Sequence, residues 1–371
     1  MSREKVIVGL SGGVDSAVAA LCLLEQGFDV EGLFMFNWHE DERGYCTAAQ
    51  DFQDARRVCD ELAIPLHRAD FSREYRERVF RYFLDEYAAG RTPNPDVLCN
   101  REIKFKSFLQ YARRLGARRI ATGHYAALTQ APDGMHLARA RDRAKDQTYF
   151  LAAVPAPAFE HVIFPLAQRC KTEVREIAAK AGLHNHDKRD STGICFIGER
   201  PFAQFLNDYL PARPGLIRDV DGIVLGEHRG LMFYTLGQRR GLGLGGRANA
   251  QDAPWYVVHK DIACNELWVA QDPQHPLLMA RSLWTQPMHW IGSAPALPLR
   301  ASAKIRHRQP DQACTVERAR RGYRVTFDIA QRAATPGQFV VLYDGQRCLG
   351  GGAIERVESL AANASREPAR A

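Results

Sequence analysis

Three stretches of this sequence hold residues that could do chemistry. SGGVDS, residues 11–16, lies between a short apolar run and a helical one. Ser11, Gly12 and Gly13 let the backbone turn tightly and expose successive N–H groups, and the positive end of the next helix adds to them. Such a turn cradles an anion. It lacks a Gly-Lys-[Ser/Thr] ending, so no lysine of its own can reach a terminal phosphate. RTPNPDVLCN, residues 91–100, is stiffened by two prolines and places Asp96 three residues before Cys99. DSTGICFIGER, residues 190–200, puts Cys195 among turn-forming residues. Each cysteine taken alone has a plain alternative as a small buried hydrophobe.

The other candidates are weaker. Nine cysteines are scattered along the chain and none form C-x-x-C, so no zinc or iron–sulfur site is expected. Cys22, Cys59, Cys314 and Cys348 sit in apolar or strand-like settings and read as core. His184 and His186 in HNHDKRD have no third ligand at matching spacing and read as a surface loop. GLGLGG, residues 241–246, matches a dinucleotide-binding pattern in form, but no helix follows it, so that reading fails.

These residues need a scaffold, and 371 residues call for two or three domains. Hydrophobic content of 46% with 25% charged residues is ordinary for a globular protein. No apolar run approaches a membrane span, and MSREKVIVGLSGG carries no export pattern, so a cytoplasmic protein without membrane contact is expected. The first half alternates strands (KVIVGL, FDVEGLFMFNW, PLHRADF, ARRIATGHYA) with helical stretches, the last of them KFKSFLQYARRLG. This predicts an α/β domain with a doubly wound parallel sheet over 1–205. Beyond it Gly and Pro become dense and short alternating strands take over. We expect a small central β domain over 206–285, a barrel-like β domain over 286–358 and a disordered tail over 359–371. Residues 300–324 hold eight Lys and Arg against Asp311 and Glu317, a net of +6 in a chain of net +7. A polyanionic partner would use such a surface.

The complete S-G-G-x-D-S loop resembles that of the N-type ATP pyrophosphatases, which adenylate a substrate while splitting ATP to AMP and pyrophosphate. That resemblance implies ATP, with Mg2+ on the nucleotide, held by Gly9, Leu10, Ser11, Gly12, Gly13, Val14, Asp15 and Ser16. The adenine side would come from Met35 on the second strand and from Gly123. Joined with NPDVLCN and STGICFIG, the loop resembles the tRNA-specific 2-thiouridylase family, from about residue 5 to 355. The family replaces the C2 oxygen of the wobble uridine of tRNA by sulfur, in tRNAs for Lys, Glu and Gln. Its sulfur comes as a persulfide from a sulfur-relay protein or cysteine desulfurase.

The resemblance makes Cys99 the nucleophile and Cys195 the persulfide carrier, which end as a Cys99–Cys195 disulfide. Asn94, Pro95 and Asp96 meet the base, with Asp96 placed for acid–base work. An ordinary thiol is only a few per cent ionised at neutral pH, so Cys99 needs activation, which a helix starting after it would supply. His124, Lys145, Asp146, Gln147, Arg306, His307 and Gln338 are the implied tRNA contacts. The family often has an aromatic residue where His307 stands, although imidazole can also stack on a base. Two other readings compete. An adenylating ligase of small molecules would need no cysteine pair, and a purely RNA-binding module would leave the SGGVDS loop unexplained.

Overall fold

A computed structural model of the chain describes residues 3–38, 48–190, 202–244 and 253–361. The first strands are β1 (Lys5–Leu10), β2 (Asp29–Phe36), β3 (Leu66–Asp70) and β4 (Arg119–Thr122), followed by a hairpin, β5 (Ala126–Ala131) and β6 (Gly134–Arg139), and by short β7 (Val162–Ile163). β1–β4 and β7 form a parallel sheet in the order β3-β2-β1-β4-β7. Val6, Ile7 and Val8 of β1 are fully buried, as a central parallel strand covered on both faces requires. Helices α1 (Val14–Glu25), α2 (Ala48–Leu62), α3 (residues 72–88), α4 (residues 95–114) and α5 (Lys171–Lys180) accompany it.

Two elements differ from expectation. The helix expected from Lys104 begins at Pro95 and runs through Cys99. Asn94 caps it by accepting from the Asp96 N–H, and proline suits the first helical position because no amide partner is needed there. Its middle, Asn100–Ser107, is π-helical. The strand read through ARRIATGHYA stops at Thr122, and the chain then leaves for another sheet.

The central sheet holds β8 (Gly215–Asp219), β9 (Val224–His228), β10 (Tyr256–Asp261) and β11 (Glu266–Ala270) in the order β10-β11-β8-β9. The last strands are β12 (Met279–Thr285), β13 (His289–Trp290), β14 (Leu299–Lys304), β15 (Gln312–Ala319), β16 (Gly322–Arg332), β17 (Phe339–Asp344) and β18 (Arg347–Ser359). Antiparallel pairing runs β12-β16-β15-β14-β17-β18 and returns from β18 to β12, which closes a six-stranded barrel. Closure removes the exposed edges a short sheet would present. Ser359, where the tail was expected to begin, still belongs to β18, and residues 362–371 lie outside the described residues. Among the described residues no helix is long and apolar enough to cross a membrane.

The barrel is docked on the α/β domain. β6 pairs with β18, and buried Arg139 donates to both carboxylate oxygens of Asp311 at 2.7 Å while lying 3.6 Å over the Tyr343 ring. Phe339, Val341 and Tyr343 of β17 join the same core as Val97, Leu98 and Phe105 of α4.

Candidate active site

The SGGVDS loop closes on itself. The Ser16 hydroxyl donates to the Gly13 carbonyl at 2.9 Å and accepts from the Ser11 N–H at 3.2 Å. Gly13 is the extended residue before α1, so the helix opens with its positive end at the loop. Gly12 takes a φ of +75° and Gly123 comes so near that a Cβ there would lie 2.7 Å from the Asp15 carbonyl carbon. Met35 packs where a side chain on Gly9 would stand. The expected loop, Met35 and Gly123 therefore meet at the carboxyl ends of β1, β2 and β4, where open α/β sheets bind ligands.

Sequence reasoning missed the cations around this loop. Lys171, which opens α5 and is only 11% exposed, donates to both oxygens of Asp15 at 2.8 Å. It also pairs with Asp190 at 2.6 Å, which Lys145 reaches at 2.7 Å. Burial raises the Asp190 carboxyl, but the hydrogen bonds from Lys145 and Lys171 outweigh it and leave the group below its ordinary value. Tyr125 donates its hydroxyl to Asp15 at 2.8 Å. Lys188 bridges Asp51 and Asp54 at 2.9 and 2.6 Å and stands 3.4 Å from the Gly12 carbonyl. These lysines bring cationic side chains to the loop, each paired with aspartates there, but no spacing ties residues 171 and 188 to residues 11–16.

The second cluster is built on α4. Cys99 is 4% exposed and lies a full turn inside the helix, so the helix end that was expected to activate it falls at Asp96 instead. Burial raises the Asp96 carboxyl, against a partial pull downward from Lys104 and His307. Lys104 is a further residue the sequence did not single out; its position eight residues beyond Asp96 in one helix was the available signal. Asn100, next to the cysteine, donates to the Phe150 carbonyl at 3.1 Å, and the Phe150 ring lies 4.5 Å from that of His307.

The expected tRNA contacts divide. His124 is in the core, 2.8 Å from the Thr122 hydroxyl and packed on Phe105, and burial holds its imidazole well below the ordinary value. The buried Asp146 carboxylate accepts from Ala140 and Thr148, and the Gln147 side chain accepts from the Tyr125 N–H, so both organise a turn. Lys145 is 40% exposed and pairs with Asp190. Arg306 donates to the Leu236 and Ala333 carbonyls, His307 Nε2 donates to the Asp146 carbonyl at 2.7 Å, and Gln338 donates to the Thr92 carbonyl at 2.8 Å. Much of the 300–324 charge is likewise spent: Arg300 pairs with Asp328, and Arg324 lies over Trp284. Arg306, Arg308, Arg318, Arg320 and Arg321 remain exposed, Arg306 and Arg318 with their guanidinium groups hydrogen-bonded to the protein. Cys22, Cys59, Cys314 and Cys348 are buried, as expected, and Cys195 lies outside the described residues.

Fold and site together define a nucleotide-binding α/β domain carrying two β modules. Family models agree along the chain: a tRNA methyl transferase HUP domain matches residues 4–199, a tRNA methyl transferase PRC-barrel domain 203–271, and an aminomethyltransferase β-barrel domain 280–354. The chain is 55% identical over 359 residues to the tRNA-specific 2-thiouridylase MnmA of Pseudomonas entomophila (strain L48), covering 96% of each. It is 56% identical to those of Hahella chejuensis (strain KCTC 2396) and Legionella pneumophila (strain Lens), over 96% of this chain and 98% and 99% of theirs. The chain belongs to the tRNA-specific 2-thiouridylase family, enzymes that transfer sulfur to uridine in tRNA.

Proposed function

We propose that this protein converts the wobble uridine of tRNA to 2-thiouridine by ATP-driven adenylation followed by sulfur transfer between two cysteines. In the first half, the C2 carbonyl oxygen attacks the α-phosphate of ATP and pyrophosphate leaves. The SGGVDS amides with Lys171 and Lys188 suit the charge of the departing pyrophosphate. Mg2+ travels with the nucleotide, whose phosphate oxygens are its natural ligands.

In the second half, Cys195 carries a persulfide received from a relay protein or desulfurase. The Cys99 thiolate attacks the inner sulfur, a Cys99–Cys195 disulfide forms, and hydrosulfide leaves. Hydrosulfide adds to C2 and AMP departs with the original oxygen; two external thiols, themselves oxidised to a disulfide, then return Cys99 and Cys195 to thiols. Asp96, whose carboxyl is raised by burial against the pull of Lys104 and His307, is placed for acid–base work beside the base. The substrates are the tRNAs for Lys, Glu and Gln, met in the cytoplasm.

The observation that carries this reading is the pairing of a lysine-supported phosphate loop with a buried cysteine helix in one domain, joined through β4. Its end touches the loop at Gly123 and packs on α4 through His124. Chromatography of the nucleotide formed during turnover with tRNA should show AMP and pyrophosphate, and nucleoside mass spectrometry should show 2-thiouridine. ADP and phosphate would overturn the adenylation step. Normal turnover by Cys99→Ser would make Cys99 structural and end the two-cysteine scheme.

A further inference from the structure

We propose that Gln338 of the barrel is a positioning residue of the active site, holding the turn from which the Cys99 helix starts. The inference rests on Cys99 being the reacting thiol, as read above. The turn 92–95 is hard to anchor through its own amides, because Pro93 and Pro95 have none. Its carbonyls are the remaining handles, and buried carbonyls must find donors. The Gln338 amide takes two of them, at 2.8 Å from the Thr92 oxygen and 3.3 Å from that of Pro93. In return the Thr92 N–H donates to the Pro336 carbonyl at 2.9 Å.

The two backbones touch between these bonds. Gly337 adopts a φ of +92°, and a Cβ on it would lie 2.9 Å from three Thr92 backbone atoms. Thr92 is 9% exposed and Thr335 4%. Immediately after this strap comes Asn94, which caps α4, then Pro95 and Asp96, with Cys99 one turn further on. The start of the cysteine helix is thus fixed from the barrel, and the amide that the family resemblance directs to tRNA is engaged by the protein's own chain.

The test uses the full-length protein without tRNA, so a contact to tRNA cannot influence it. Iodoacetamide labelling is followed by peptide mass spectrometry, and the readout is the labelling rate of Cys99 relative to Cys314, which is fully buried in the barrel. Gln338→Ala and Gln338→Glu remove the donor, and Gly337→Ala forces the strap apart independently. Each should raise the Cys99/Cys314 ratio roughly fivefold, as expected for losing hydrogen bonds that hold a local structure closed. Single-turnover thiolation at saturating tRNA should fall about 10- to 100-fold, the scale of a misplaced reacting group, with tRNA affinity within about twofold. An unchanged ratio in all three variants overturns the proposal, and so does weaker tRNA binding as the sole defect, with full rate restored at saturation. Normal turnover by Cys99→Ser would sink the two-cysteine scheme while leaving the labelling ratio untouched, so the two failures are distinguishable.

Discussion

Gly123→Ala should separate the end of β4 from the phosphate loop by a distance that can be worked out. The added Cβ would lie 2.7 Å from the Asp15 carbonyl carbon, 2.8 Å from the Ser16 nitrogen and 2.9 Å from the Asp15 oxygen. Ordinary contact begins at 3.4 Å, so the two segments must part by about 0.7 Å. All three atoms belong to the backbone at the start of α1, and no side chain can swing aside. A misplacement of about 1 Å costs up to ~100-fold in rate, which scales on a logarithmic axis to roughly 25-fold here. Overpacking adds a stability loss of about 1–3 kcal/mol. Pyrophosphate release at saturating ATP and tRNA measures the rate, filter binding the tRNA affinity, and denaturant titration the stability. A roughly 25-fold slower release with tRNA affinity within about twofold is expected. Wild-type release from a folded variant would show that this close approach does not set the nucleotide geometry.

Lys171→Ala should slow adenylation roughly 100-fold, the scale of losing one donor to developing charge, with tRNA binding retained; an unchanged rate would remove it from the phosphate site. Arg308→Ala should flatten the slope of log affinity against log salt by about 0.7–0.9. Arg306→Ala should instead lower stability by about 1–2 kcal/mol, because its guanidinium joins the Leu236 and Ala333 carbonyls; the reverse pattern would return Arg306 to the tRNA surface. The Asp96 carboxyl is raised from 3.8 in the folded protein, so the stability it contributes is present in acid and lost as pH rises through the folded value. Asp96→Asn keeps the shape without titrating, so its stability relative to wild type should climb from acid toward neutral pH, and a pH-independent difference would refute the shift.

What was legible in the sequence was local. KVIVGL, SGGVDS and the strand–helix alternation are short-range patterns, and the sheet with its loop followed from them. The start of α4 was misplaced because two prolines suggested a loop, although Asn-Pro is also a helix opening when the asparagine side chain turns back to the Asp96 amide. Strands β14 and β15 carry Arg300, Lys304, Arg308 nearby and Arg318, which read as a charged surface; only the barrel shows that most of those side chains meet Asp328, Asp311 or Tyr323. Lys171 and Lys188 escaped notice for a similar reason. A residue 156 positions from Asp15 leaves no trace in spacing. Motifs announce what the backbone must do locally, whereas side chains that converge from distant segments become visible only with the fold.

The start of α4 also decides how charge is divided in the site. A helix end favours a negative charge by about 0.3–1 kcal/mol and its effect fades within a turn, while one pKa unit corresponds to about 1.4 kcal/mol. Asp96 occupies that first turn, and burial raises its carboxyl against the opposing pull of Lys104 and His307. Cys99 lies beyond the reach of the helix end and under the same cover, at 4% exposure. In the proposed scheme an exposed adenylated uridine would be open to attack by water, which would return uridine and AMP with no sulfur transferred. A site rich in fixed charge would draw water in. Burying Cys99, the proposed nucleophile, limits the access of water to it. The barrel contributes to this cover, because Gln338 holds the Thr92 carbonyl of the turn leading into α4 and His307 packs on Phe150, whose carbonyl accepts from Asn100 of α4. On the proposed function, cover by the barrel therefore serves the chemistry of Cys99 as much as the binding of tRNA.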